Sequence, residues 1–80
     1  MEANQITTKL TDIFRDIFGD DTIVLNDSMT AMDVPGWDSL SHINLILAVE
    51  KGFKISLTTR EVRALNNVGD FILLIEKKVA

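Results

Sequence analysis

Cysteine is absent from the 80 residues, which excludes a disulfide framework and a thiolate metal site and leaves stability to packing. With a single histidine and no cysteine, the chain offers no metal-binding constellation, so the metal expectation is none. No stretch approaches the roughly 18 consecutive apolar residues of a membrane-spanning helix. Basic residues are scarce, 8 Lys and Arg against 12 Asp and Glu, giving a net charge of −4 and a pI near 4.7. That balance repels a phosphate backbone, argues against nucleic-acid partners and favours basic protein partners. The stretch Met1-Glu2-Ala3-Asn4-Gln5 has neither the basic region nor the apolar run of a secretory signal, so the expected location is the cytoplasm. What is present is ordinary for a chain that folds in water: 46% hydrophobic and 25% charged residues. A second core could not be filled at this length, so residues 1–80 are expected to form one domain.

Apolar periodicity predicts helices. Ile6, Leu10, Ile13, Phe14, Ile17 and Phe18 recur on one face over about residues 5–18, and Gly19 can take the left-handed position that stops such a helix. From 20 to 37 no period holds, and Asn26-Asp27-Ser28, Asp33 and Pro35-Gly36 are turn formers, which makes this a long loop. Its apolar residues, among them Ile23, Leu25, Met29 and Val34, are expected to pack it across the helices. The loop lacks the ligand spacing, central Gly and closing Glu of a calcium-binding EF-hand. A second helix is expected from Ser39 to about Lys51, introduced by the turn Pro35-Gly36-Trp37-Asp38 and capped by Asp38. A connector follows Gly52. Thr58 or Thr59 can cap a short third helix reaching Leu65, with Val62 and Leu65 as its buried pair. After Asn66-Asn67, the spacing of Val68, Phe71, Ile72, Ile75 and Val79 predicts the last helix. The fold class is all-α: a small four-helix bundle of three longer helices and one short one, with a long first loop.

The second helix carries two apolar arcs. At about 100° per residue, Leu45, Ile46, Val49 and Phe53 fall toward one side and Leu40, Ile43 and Leu47 toward another. If the first arc faces the core, the second is an exposed docking strip beside Ser39.

The residues Gly36-Trp37-Asp38-Ser39-Leu40 resemble the modification site of acyl carrier proteins, in which an Asp-Ser-Leu tripeptide opens a helix. Leu47-Ala48-Val49-Glu50, Phe53-Lys54-Ile55 and Asn67-Val68-Gly69-Asp70 extend the resemblance over nearly the whole chain. It implies that Ser39 receives 4′-phosphopantetheine from coenzyme A and that the thiol of this arm holds acyl intermediates as thioesters. Asp38 would belong to the pattern read by the phosphopantetheinyl transferase, and Leu40, Ile43 and Leu47 would contact partners. Those partners would be acyl-loading, acyltransferase or synthase enzymes of fatty-acid, polyketide or related biosynthesis, visited by a monomer with no catalytic residue of its own. Many fatty-acid carriers crowd acidic residues along this helix, whereas here the stretch offers Ser41, Asn44, Glu50 and Lys51, a less acidic surface that points to a specialised pathway.

Other readings of the same residues are a peptidyl or aminoacyl carrier, which shares serine and arm, and an unmodified helical interaction module. An enzyme built on Ser39, His42 and Asp38 is disfavoured. His42 falls toward the core arc, Asp38 is poorly placed to orient its imidazole, and no oxyanion loop is evident. Trp37 is read as a large residue pinning the loop rather than as a partner hot spot. Any carried chain would be sheltered between helices lined by Leu45, Val49, Val62, Leu65 and Ile72.

Overall fold

Residues Ile6, Leu10 and Phe14 are spaced four apart, close to one helical turn, and in the computed structural model they form the fully buried stripe of helix α1, Ala3–Phe18. The structure describes residues 3–30, 32–34 and 36–79, with the side chains of Ala3 and Ser39 outside that description. The N-terminal Met1-Glu2, on which the reading of a missing signal partly rests, and Pro35 of the turn before the second helix lie outside the described residues.

Three more helices follow, α2 (Ser39–Phe53), α3 (Thr59–Arg63) and α4 (Val68–Val79), and the described residues contain no strand. Helix α1 packs against both α2 and α4. The core it organises takes Leu45, Val49 and Phe53 from α2 and Val68, Phe71, Ile72 and Ile75 from α4, while the loop inserts Ile23 and Val34. The all-α expectation of three longer helices, one short helix and a long first loop therefore holds.

The ends follow local chemistry. Gly19 closes α1 in the left-handed region at φ 62°. Helix α2 runs past Gly52 to Phe53, and Lys54 takes the left-handed cap instead, its N–H donating to the Glu50 carbonyl. Gly52 stays helical because it lets α1 approach: a Cβ there would stand 3.1 Å from the Ile13 Cδ1. Thr58 opens α3 with a reciprocal capping box, its hydroxyl accepting from the Glu61 N–H and the Glu61 carboxylate from its own N–H. This helix is shorter than expected and contributes no buried residue. Val62 and Leu65, expected as a buried pair, are half-buried because they border open clefts rather than the core.

The long loop is tied down at the start of α4. The Val68 N–H donates to the Met29 carbonyl at 2.8 Å and the Gly69 N–H to the Asp27 carbonyl at 2.9 Å, while Asn67 Oδ1 accepts the Asp70 N–H at 2.8 Å. The loop thus satisfies first-turn donors that α4 cannot satisfy internally. A Cβ on Gly69 would lie 3.0 Å from that same Asp27 carbonyl oxygen. Gly69→Ala is expected to lower the melting temperature although alanine's helix propensity alone favours it by about 1 kcal/mol. Gly52→Ala, opposed only by the movable end of Ile13, is expected to leave the melting temperature unchanged or raise it. Thermal denaturation of both variants checks the contrast, and a stabilised Gly69→Ala would contradict the loop clamp.

Candidate functional site

The N-terminus of α2 is built by Asp38. Its backbone is extended, its carboxylate accepts the Ser41 N–H at 2.9 Å, and its carbonyl accepts the His42 N–H at 2.8 Å. Ser39 is the first helical residue. Bonds from Ser41, backbone first, hold the Asp38 carboxyl below the ordinary carboxylate range although the group is exposed. Acid and cap are therefore one feature: the ionised form accepts the free amide at the positive end of the helix.

Trp37 fixes the chain just before this cap. Its indole stands edge-on to Phe14 at 5.2 Å between centroids and 6.2 Å from Phe18, which pins the loop to α1 as its size implied. On the other side it stacks on His42 at 6.0 Å and donates its Nε1–H to His42 Nδ1 at 3.1 Å. His42 is half-buried, turned toward the bundle as its helical position predicts. With Nδ1 engaged by Trp37 and the Asp38 carboxylate by Ser41, neither group is arranged to activate a hydroxyl. Among the described residues, no cluster of three or more His, Cys, Asp or Glu could hold a metal.

Burial holds the His42 pKa below its ordinary value of 6.5. Because the folded pKa is the lower one, the unfolded chain takes up a proton first, so the stabilisation is complete above pH 6.5 and is lost as pH falls through the folded value. Acidification from neutrality is expected to lower the melting temperature in that window, before the carboxyls of Asp38, Asp20 and Glu61 titrate. His42→Gln should flatten this slope. As the lone imidazole, His42 should give one NMR titration with a midpoint below 6.5, and a midpoint at or above that value would contradict the geometry.

Two open clefts flank this end of α2. The larger, of about 790 Å³, runs from Trp37, Asp38, His42 and Ile43 to Arg63, Leu65, Asn66, Asn67 and Phe71. The smaller, of about 320 Å³, lies between α2 and α3, with Ile43, Ile46 and Leu47 facing Leu57, Thr59, Val62 and Arg63. Of the residues expected to shelter a carried chain, Leu65 lines the first and Val62 the second. Leu45, Val49 and Ile72 line neither, because their side chains close the core between α1, α2 and α4. Arg63, Asn66 and Asn67 were not legible as cleft residues, since nothing in a periodic pattern marks the gap between a five-residue helix and its neighbour.

Along α2, Leu40, Ile43 and Leu47 are 69%, 57% and 58% exposed, while Leu45 and Val49 are fully buried and Phe53 nearly so. Leu45, Val49 and Phe53 separate from Leu40, Ile43 and Leu47 as expected, whereas Ile46, expected on the core arc, is half-buried and borders the smaller cleft beside Ile43 and Leu47. No helix among the described residues is long and apolar enough to cross a membrane.

No family model matches the chain. Individual proteins do. It is 32% identical over 73 residues to the acyl carrier protein of Solidesulfovibrio magneticus, covering 91% of this chain and 94% of the relative. It is 33% identical over 81 residues to that of Akkermansia muciniphila, covering 96% of each. The solution NMR structure of holo acyl carrier protein from Geobacter metallireducens is similar at a TM-score of 0.87 and 46% identity, covering 91% of this chain and 84% of that one. Sequence likeness over nearly the full chain and a shared helical fold lead to one conclusion: this chain belongs to the acyl carrier protein family.

Proposed function

We propose that this chain carries acyl groups as thioesters on a 4′-phosphopantetheine arm attached to Ser39, and that residues 1–80 act as one monomeric carrier domain in the cytoplasm. The observation that supports this reading most is the position of Ser39 as the first residue of a helix capped by Asp38, beside both a cleft and an exposed apolar strip. An anionic phosphodiester suits this place, because the first-turn amides and the helix dipole favour negative charge and the Asp38 carboxylate is already bonded to Ser41. When attached, the arm supplies the thiol that holds the acyl group. The chain itself supplies no catalytic residue. It anchors the arm through the Ser39 hydroxyl and offers the Trp37–Phe71 cleft beside it.

Asp38 belongs to the feature that the phosphopantetheinyl transferase reads, and Leu40, Ile43 and Leu47 meet the enzymes that load, transfer or extend the acyl group. Exposed Asn44 and Lys51 on α2, where an acidic run would mark many fatty-acid carriers, favour a specialised pathway over primary fatty-acid synthesis. The test is intact mass before and after incubation with coenzyme A and a broad-specificity transferase. A gain of one phosphopantetheine is expected. No gain from folded, initially unmodified protein with several transferases would sink the carrier reading and leave an interaction module.

A further inference from the structure

The net charge of −4 is unevenly placed. Exposed Asp12 and Asp16 lie on α1 and exposed Asp21, Asp27 and Asp33 in the long loop. The face around the apolar strip has the opposite character. One turn beyond Leu47 stands exposed Lys51, followed by Lys54 at the end of α2. Across the smaller cleft, which Ile43 and Leu47 share with Arg63, helix α3 presents exposed Arg60 and Arg63 one turn apart.

The carboxylates of this region are few and engaged. Glu50 is half-buried and turned to the connector, where it accepts the Leu57 N–H at 2.9 Å. Glu61 pairs with Lys78 of α4 at 2.9 Å and accepts the Thr58 N–H. Asp38 caps α2 at the far end of the strip. Charges separated by more than about 10 Å are largely screened at 0.1 M salt. A docking enzyme therefore meets the local cations and not the sum over the chain.

Resting on the carrier reading, we propose that the enzymes this chain serves dock on Leu40, Ile43 and Leu47 with an apolar socket rimmed by carboxylates, which pair with Lys51, Arg60 and Arg63. This reverses the basic partner that net charge alone implies. Rim charges act chiefly on encounter rate and salt dependence, while the buried apolar contact supplies most of the affinity.

The experiment uses one phosphopantetheinyl transferase whose carrier-docking surface is basic and a form of it with those Lys and Arg residues replaced by Glu. The value of kcat/KM for arm transfer onto the full-length apo chain is measured at low and at physiological salt. The glutamate form is expected to be faster by about tenfold at low salt, an advantage that salt erodes. The double variant Arg60→Glu/Arg63→Glu, checked by circular dichroism, should reverse the preference. Lys51→Glu on α2, away from the α3 cap, should reduce it independently. Loading with the basic form preferred, or equal loading insensitive to salt, overturns the acidic rim alone. No loading by either form overturns this proposal, and the carrier reading falls with it when several further transferases also fail on the folded, initially unmodified chain.

Discussion

Ser39→Ala is expected to abolish attachment of the phosphopantetheine arm completely while leaving the helical fold intact. The separation of the two effects follows from who caps α2. The cap bonds belong to Asp38, whose carboxylate and carbonyl take the Ser41 and His42 N–H groups, so removing the neighbouring hydroxyl costs the helix none of them. Alanine is also the residue with the highest helix propensity, which makes the first helical position a mild place to put it. Intact mass after transferase treatment reads the attachment, and circular dichroism reads the fold. Ser41→Ala is the internal control, since Ser41 lies two residues further into the same first turn and its backbone N–H, the leading bond to the Asp38 carboxylate, survives loss of the hydroxyl that also bonds there. That variant should still gain one arm. A gain by Ser39→Ala and its loss in Ser41→Ala would reassign the attachment site while keeping the carrier function.

Much of this was readable from residue spacing, and the exceptions have physical causes. The stripe of Ile6, Leu10 and Phe14, the two arcs of α2 and the Val68–Phe71–Ile72–Ile75 face emerged in the structure because each repeats with the helical period. Asp38 was legible as a cap because an Asp before an apolar helix has one local use that outweighs others. The end of α2 was not. Gly52 reads as a stop in isolation, but its missing side chain admits Ile13, and that contact belongs to a helix some forty residues earlier. The bond between Trp37 and His42 was not legible for a related reason: the loop geometry that brings the indole onto the imidazole has no periodic signature. Charge shows the same limit. The sequence reports a total, whereas docking depends on where the fold places Arg60, Arg63 and Lys51 relative to Leu47.

The largest loss of stability is expected from Phe14→Ala. Phe14 is fully buried and is the residue through which α1 meets both the core and the functional end of α2, with ring centroids of Trp37 at 5.2 Å and Phe18 at 5.8 Å. Emptying such a site typically costs about 3–5 kcal/mol, the transfer of the ring plus the cavity left behind. Against a total stability of roughly 5–15 kcal/mol for a natural domain, that is a large share. At about 4–8 °C per kcal/mol for a chain of this size, the melting temperature should fall by roughly 12–40 °C. Leu47→Ala, on a residue 58% exposed, should stay within about 0.5 kcal/mol of the parent. The same cavity removes the surface against which Trp37 stands, so the emission of this lone tryptophan should change in the folded variant. Arm transfer should slow even at temperatures where the variant remains folded, because Trp37 carries the chain into the Asp38 cap. A Phe14→Ala protein with parental melting temperature, emission and loading rate would contradict the placement of Phe14 beneath the site.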